Sequence, residues 1–132
     1  MLENNQNLPY YNIDDFINDC ANKKIIVFKK AQEDAKTFFN ISTQADLLHF
    51  IAYGGCEKLH FISSKLWDKN PDKNNPTMVD GYEFTTNNKN GYIAFMKSKQ
   101  TGLWIIKSFH EAYSISINDL LYKPFSGLDL ED

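Results

Sequence analysis

The amino-acid sequence predicts an α+β protein, and three observations carry the prediction. Helix-spaced apolar residues occupy the first half of the chain, period-two runs of aromatic and β-branched residues occupy the second, and short polar connections join those runs. Helical and strand signals segregated in this way point to two or three N-terminal helices packed on an antiparallel sheet of four to five strands. At 132 residues, 42% hydrophobic and 14% aromatic, the chain can bury one sizeable core, and a single domain is the expectation.

Met1 to Pro9 is polar and Asn-rich and reads as a frayed lead-in. Asn12 to Ala21 opens with a capping residue, Asn12, and places Asp14 and Asp15 in the first turn. Ile13, Phe16, Ile17 and Cys20 recur at helical intervals, so this short helix packs their stripe on the sheet. Lys23 to Lys30 holds four apolar residues between lysine pairs. Its length and β-branching favour a strand, with the lysines as solvated ends that discourage edge pairing. Ala31 to Phe39 returns to helix, with Ala31, Ala35, Phe38 and Phe39 on one side and Asn40 ending it. A new start signal stands at Ser42, and TQADLLHFIAY sets Ala45, Leu48, Ile51 and Ala52 near one face before Gly54 and Gly55 close the helix. His49 lies beside that stripe and reads as a boundary or surface histidine, since no second His, Cys or carboxylate stands at metal-binding spacing.

Lys58 to Trp67 resumes alternation, with Leu59, Phe61 and Ser63 pointing one way and His60, Ile62 and Ser64 the other. Asp68 to Pro76, rich in Asn, Pro and charge, reads as an exposed loop with nothing to bury. Thr77 to Thr86 is a further strand, turned by Asn87 to Asn90 into a hairpin that forms the centre of the sheet. That hairpin pairs Tyr92 to Met96 with Leu103 to Phe109 across the polar connection Lys97 to Gly102. Strict alternation puts Trp104, Ile106, Ser108 and His110 on one face and Ile105, Lys107 and Phe109 on the other. Beyond Glu111 the pattern suggests a short strand at Tyr113 to Ile117 and a helical turn at Asn118 to Tyr122. The acidic tail Lys123 to Asp132 reads as solvated, or docked on a partner or on the protein's own basic surface.

Net charge is −3, and all 14 cations are lysines. Without arginine there is no planar fork for bidentate phosphate or guanine contacts, so composition leans against nucleic acid and any such contact falls to lysine. Cys20 and Cys56 have neither CxxC nor zinc spacing and read as buried thiols. No segment approaches the roughly 18 apolar residues of a membrane span, and the first residues lack the basic start and apolar core of a signal peptide. A cytoplasmic protein with no metal and no cofactor is the expectation.

Glycine-rich phosphate loops, GxSxG, HExxH and DxDxDG are all missing. A looser set of polar groups belongs near one end of the sheet. His110 is the leading candidate, because an unperturbed imidazole titrates near neutrality and shuttles protons. Tyr92 and Tyr82 offer phenols, while Ser108, Lys107 and Lys65 can orient or neutralise a phosphate. The bland alternative for each is packing or solvation.

The order of elements, with FISSK at Phe61 to Lys65, VDGYEF at Val79 to Phe84, GYIAF at Gly91 to Phe95 and IIKSFHE at Ile105 to Glu111, resembles the motility quorum-sensing regulator (MqsR) family of ribonuclease toxins. The resemblance covers roughly Pro9 to Glu111 and implies the wider RelE-like fold. It further implies metal-independent cleavage of messenger RNA, free or on the ribosome, and restraint by a cognate antitoxin. Phe61 and Ser64 match the family's F-Y-K-S strand, Asp80 and Tyr82 its D-V-Y, and Tyr92, Ser108 and Phe109 the last two strands. Ser63, Ala94 and His110 stand where the family has lysine, Val79 where it has glutamine, and Glu83 near its arginine. The resemblance implies Tyr92 and His110 dividing the roles of base and acid between them, Lys65 or Lys107 as the phosphate cation, and a basic patch of Lys65, Lys97, Lys99 and Lys107. The second expectation is a non-catalytic interaction protein, an inactive toxin relative or an immunity protein, whose negative charge suits a basic partner.

Overall fold

A computed structural model describes residues 8–112. In chain order these form α1 (Ile13–Asn22), β1 (Ile25–Val27), α2 (Lys29–Phe39), α3 (Gln44–Ala52), β2 (Glu57–Leu66), β3 (Met78–Thr86), β4 (Lys89–Lys97) and β5 (Trp104–Glu111). The succession of helices and strands is the expected one. The strand and turn expected after Tyr113 and the acidic tail lie outside the described residues.

Local chemistry sets the helix limits. Asn12 accepts from the Asp15 N–H at 3.1 Å and caps α1, as expected. Thr43, not Ser42, caps α3, its Oγ1 accepting from the Asp46 N–H at 3.0 Å. Asn40 ends α2 in the left-handed region at φ 59°, a conformation asparagine tolerates better than most residues. The buried stripe of α3 runs through Leu47 and Ile51, and Ala45 is exposed. The helix is rotated from the expectation because Leu47 removes more apolar surface from water than Ala45 does.

The five strands order as β1-β5-β4-β3-β2, with β4 in the middle. Pairings from β2 to β5 are antiparallel, while β1 runs parallel to β5 through Ile25–Trp104, Ile26–Ile105 and Val27–Ile106. The sheet is therefore mixed rather than wholly antiparallel. Three reversals separate β2 from β5, and the last strand arrives beside β1 in the same sense. Between β3 and β4, Asn87 and Asn88 take φ of 48° and 66°, the two successive left-handed residues that a tight hairpin turn with matching twist requires.

All three helices contribute to one buried cluster on one face of the sheet. Phe16, Cys20, Ala31, Ala35, Leu47 and Ile51 meet Tyr82, Phe84, Ile93, Phe95, Trp104, Ile106 and Phe109 there. Phe16 stacks on Phe95 with ring centroids 4.0 Å apart and planes 2° from parallel. The buried Asp80 carboxylate lies on the same side and accepts from the main-chain N–H groups of Tyr10 and Tyr11 at 2.9 and 2.8 Å, fixing the segment that leads into α1.

Three register shifts break the alternation, one between Glu57 and His60 at the start of β2 and two bulges nearer the middle of the sheet. In β2, Phe61 pairs with Tyr82 and Ser63 with Gly81, leaving Ile62 over; in β5, Ile106 pairs with Phe95 and Ser108 with Ala94, leaving Lys107 over. Each extra residue inverts the faces beyond it. Trp104, Ile106 and Phe109 consequently share the helix face, whereas Ser108 and His110 join Ile105 on the opposite, open face, a correction to the strict alternation. Ser63 likewise turns to the open face and Ser64 to the helix face. Segment 68–76 also departs from expectation. Asn70 and the following Thr77 are 6% and 5% exposed, and the Asp72 Oδ2 accepts from Asn75 and Gln100 amides at 2.6 Å each. Its asparagines serve as internal cross-links, so the loop holds a shape over the open face.

Candidate functional site

On the open face a cavity of about 360 Å³ collects side chains from four strands and from the loop after β2. Lys65 of β2, Tyr92 of β4 and Lys107 and Ser108 of β5 all line it, as do Ser63 and Lys69. Both bulges matter to this gathering. The β2 bulge turns Ser63 and Lys65 outward together, and the β5 bulge brings Ser108 to the same face, opposite Ala94. Three lysines against a single acid, Asp68, make the cavity locally basic in an acidic protein.

Tyr92 forms its far wall. A Cβ added at Gly81 would overlap the Tyr92 hydroxyl, so the phenol crosses the neighbouring strand over a position that only glycine leaves open. Burial pushes the Tyr92 phenol above its ordinary value, and the Glu83 carboxylate paired across from it adds to the shift. The hydroxyl is held protonated, as a donor. His110 pairs directly with Tyr92, their ring centroids 5.2 Å apart with planes tilted by 32°. Its Nδ1 lies 2.9 Å from the Glu111 carbonyl oxygen. A carbonyl can only accept, so Nδ1 carries the proton and Nε2 of the neutral ring is left as the basic nitrogen. His110 does not itself line the cavity but flanks it behind Tyr92. The pairings His60–Glu83, Glu83–Tyr92 and Tyr92–His110 set these four residues in one row across the open face.

Two expected site residues lie elsewhere. Tyr82 is 5% exposed and packs among Phe61 and Phe95 on the helix face, so it cannot reach a substrate in the cavity. Its register opposite Ile93, an inward position, decides this. Lys97 pairs with Trp104, and its Nζ sits 4.9 Å from the centre of that indole, which ties it to the helix side by a cation–π contact. The expected patch of four lysines therefore divides: Lys65 and Lys107 share the cavity, Lys99 lines a neighbouring hollow, and Lys97 belongs to neither. Lys69, Ser63, Trp67 and Glu83 are not among the expected site residues, although Ser63 and Glu83 stand at positions where the chain departs from the family it resembles. Lys69 and Trp67 flank or belong to a segment whose composition signals only a loop, and the other two depend on register.

His49 is exposed against Tyr53, as expected of a surface histidine. Cys20 is buried and Cys56 half-buried, both as free thiols, and burial pushes the Cys20 thiol up to about 12. Among the described residues no three His, Cys, Asp or Glu side chains gather where they could hold a metal ion, and no helix is long and apolar enough to cross a membrane. Fold and site together define an α+β protein with three helices on one face of a five-stranded mixed sheet and a lysine-lined cavity on the other. No family model matches the chain, and searches of curated proteins and of solved structures find no match either.

Proposed function

We propose that the open-face cavity binds an RNA phosphate and that the protein is a metal-independent endoribonuclease of the MqsR-like, RelE-like toxin type, controlled by a cognate antitoxin. The observation that carries this is the convergence of Lys65, Lys107, Ser108 and Tyr92 on one cavity with the His110 ring directly behind the phenol. His110 Nε2 takes the proton of a ribose 2′-hydroxyl, the 2′-oxygen attacks phosphorus, and the Tyr92 hydroxyl protonates the departing 5′-oxygen. A 2′,3′-cyclic phosphate and a 5′-hydroxyl result. Lys65, Lys69 and Lys107 stabilise the charge that gathers on the phosphoryl oxygens, and Ser108 orients them. Lys69 supplies a cation from the loop where the family's strand lysines are replaced by Ser63 and Ala94.

The test is incubation of purified protein with RNA at low salt in the presence of a chelator. Cleavage with 2′,3′-cyclic ends is expected, and Tyr92→Phe and His110→Ala each lower kcat about 100-fold or more. Activity should hold well into alkaline pH before falling, because the raised Tyr92 phenol loses its proton only above its ordinary value of 10.0. Intact RNA, or a His110→Ala variant as toxic on overexpression as the wild type, refutes the ribonuclease. The net charge of −3 and the Glu83 carboxylate beside Tyr92 favour one other reading, a non-catalytic protein that captures a basic partner. Copurification of such a partner without toxicity would mark it.

A further inference from the structure

The lysine-lined cavity is not alone on the open face. A second hollow of about 200 Å³ adjoins it, and Trp67 lines both. The Trp67 ring lies 6.1 Å from that of Phe28, in the segment that follows β1, and this contact braces the indole. Chemically the two hollows differ. The first carries three lysines, while the second is walled by Asn70, Asn75, Gln100 and Ser98 over a floor of Met96 and Ile105. Its acid, Asp72, already accepts from the Asn75 and Gln100 amides and from the Asn74 N–H at 3.1 Å, which satisfies the carboxylate internally. Lys99 sits at its rim.

We propose that this second hollow is a nucleobase subsite, with Trp67 as its stacking platform, and that the substrate is single-stranded RNA whose phosphate lies in the lysine cavity while an adjacent base lies against the indole. The inference rests on the ribonuclease reading and adds the strandedness of the substrate and the residue that reads it. Ile105 beside the indole suits the face of a planar ring, the half-buried Asn75 and exposed Gln100 amides suit its polar edge, and the volume is below the ~300–1,000 Å³ of pockets that enclose whole small molecules. A base in a duplex cannot enter, because its faces are already stacked. Single-strand binders combine backbone cations with aromatic stacking in this manner.

The chain has two tryptophans, and Trp104 is 4% exposed in the core with its Nε1 donating to Asp19 at 2.8 Å. Fluorescence quenching therefore reports Trp67. The experiment titrates the protein at low salt with a 2′-O-methylated single-stranded oligonucleotide, which cannot be cut, with the same strand in duplex form, and with inorganic phosphate alone. Saturable quenching by the single strand is expected, with none by the duplex. Phosphate competes with the strand for the lysine cavity without quenching. Trp67→Phe retains binding and loses the signal, while Trp67→Ala weakens binding roughly 5- to 100-fold. Equal quenching by duplex or by phosphate, or an unchanged affinity in Trp67→Ala, overturns the subsite even if RNA is cut. Quenching by the single strand with no cleavage of ordinary RNA supports the subsite and sinks the ribonuclease, so the two failures are told apart.

Discussion

Tyr92 owes its place to a glycine. An ordinary strand interior disfavours glycine, yet Gly81 stands in the middle of β3, and a side chain there would collide with the phenolic hydroxyl crossing from β4. Gly81→Ala is thus expected to destabilise the protein by about 1–3 kcal/mol through overpacking, and to lower activity more than Lys65→Ala does by displacing the phenol. Because the nearest atom is the hydroxyl, Tyr92→Phe should recover part of the stability loss of Gly81→Ala without recovering activity. Urea denaturation of the two single variants and the double variant measures that coupling directly. Strict additivity would mean that the phenol does not rest over Gly81. Tyr82 makes the complementary point, since it is as plausible in sequence as Tyr92 and lies two strand positions from Phe84, on the helix side. A phenol's role is set by the face it occupies, and composition does not record the face.

Faces are decided at the scale of the element, and here the two bulges do most of the deciding. Helix caps at Asn12, the terminator at Asn40 and every strand run were legible in the chain, because capping, left-handed tolerance and β-branched content are local properties. A bulge is not local in that sense. Lys107 is left unpaired because Ile106 and Ser108 are held opposite Phe95 and Ala94, and the gain is that Phe109 reaches the core while Ser108 and His110 remain on the open face. Regular alternation from Trp104 would bury Ser108 and His110 and expose Phe109, a much worse partition of apolar surface. Deleting Lys107 should force that choice, so the deletion variant is expected to lose cooperative unfolding or to melt far below the wild type. Lys107→Ala, which keeps the residue count, should stay within about 0.5 kcal/mol of wild-type stability and lose only phosphate affinity. A deletion variant as stable as Lys107→Ala would show that register in β5 is not what places Ser108 and His110. The loop after Leu66 was illegible for a related reason. Its Asn and Asp side chains hydrogen-bond one another, and nothing in a run of polar residues announces that they close a structure over Met96 and Ile105.

Over the whole molecule, an acidic chain with no arginine can hold a phosphate only if its lysines are segregated, and the two sides of the sheet separate them. Lys65, Lys69 and Lys107 gather at one cavity and Lys99 at the hollow beside it, whereas Lys36 is exposed on α2, in the helix layer across the sheet. At physiological ionic strength exposed charges are screened over about 8 Å, so a strand lying on the open face feels the four lysines and little of the net charge. Binding to single strands weakens with salt by a slope of about 0.7 for each phosphate neutralised. Three to four contacts then give a slope near −2 to −3 in a plot of log K against log salt concentration. Lys65→Ala and Lys99→Ala are each expected to shallow that slope by roughly 0.7, and Lys36→Ala to leave it unchanged. Fluorescence titration across a salt series measures all three. A slope near zero would mean that no phosphate is engaged. A loss with Lys36→Ala equal to that with Lys65→Ala would mean that the protein attracts RNA by diffuse charge, and the cavity would then have no special claim on the phosphate.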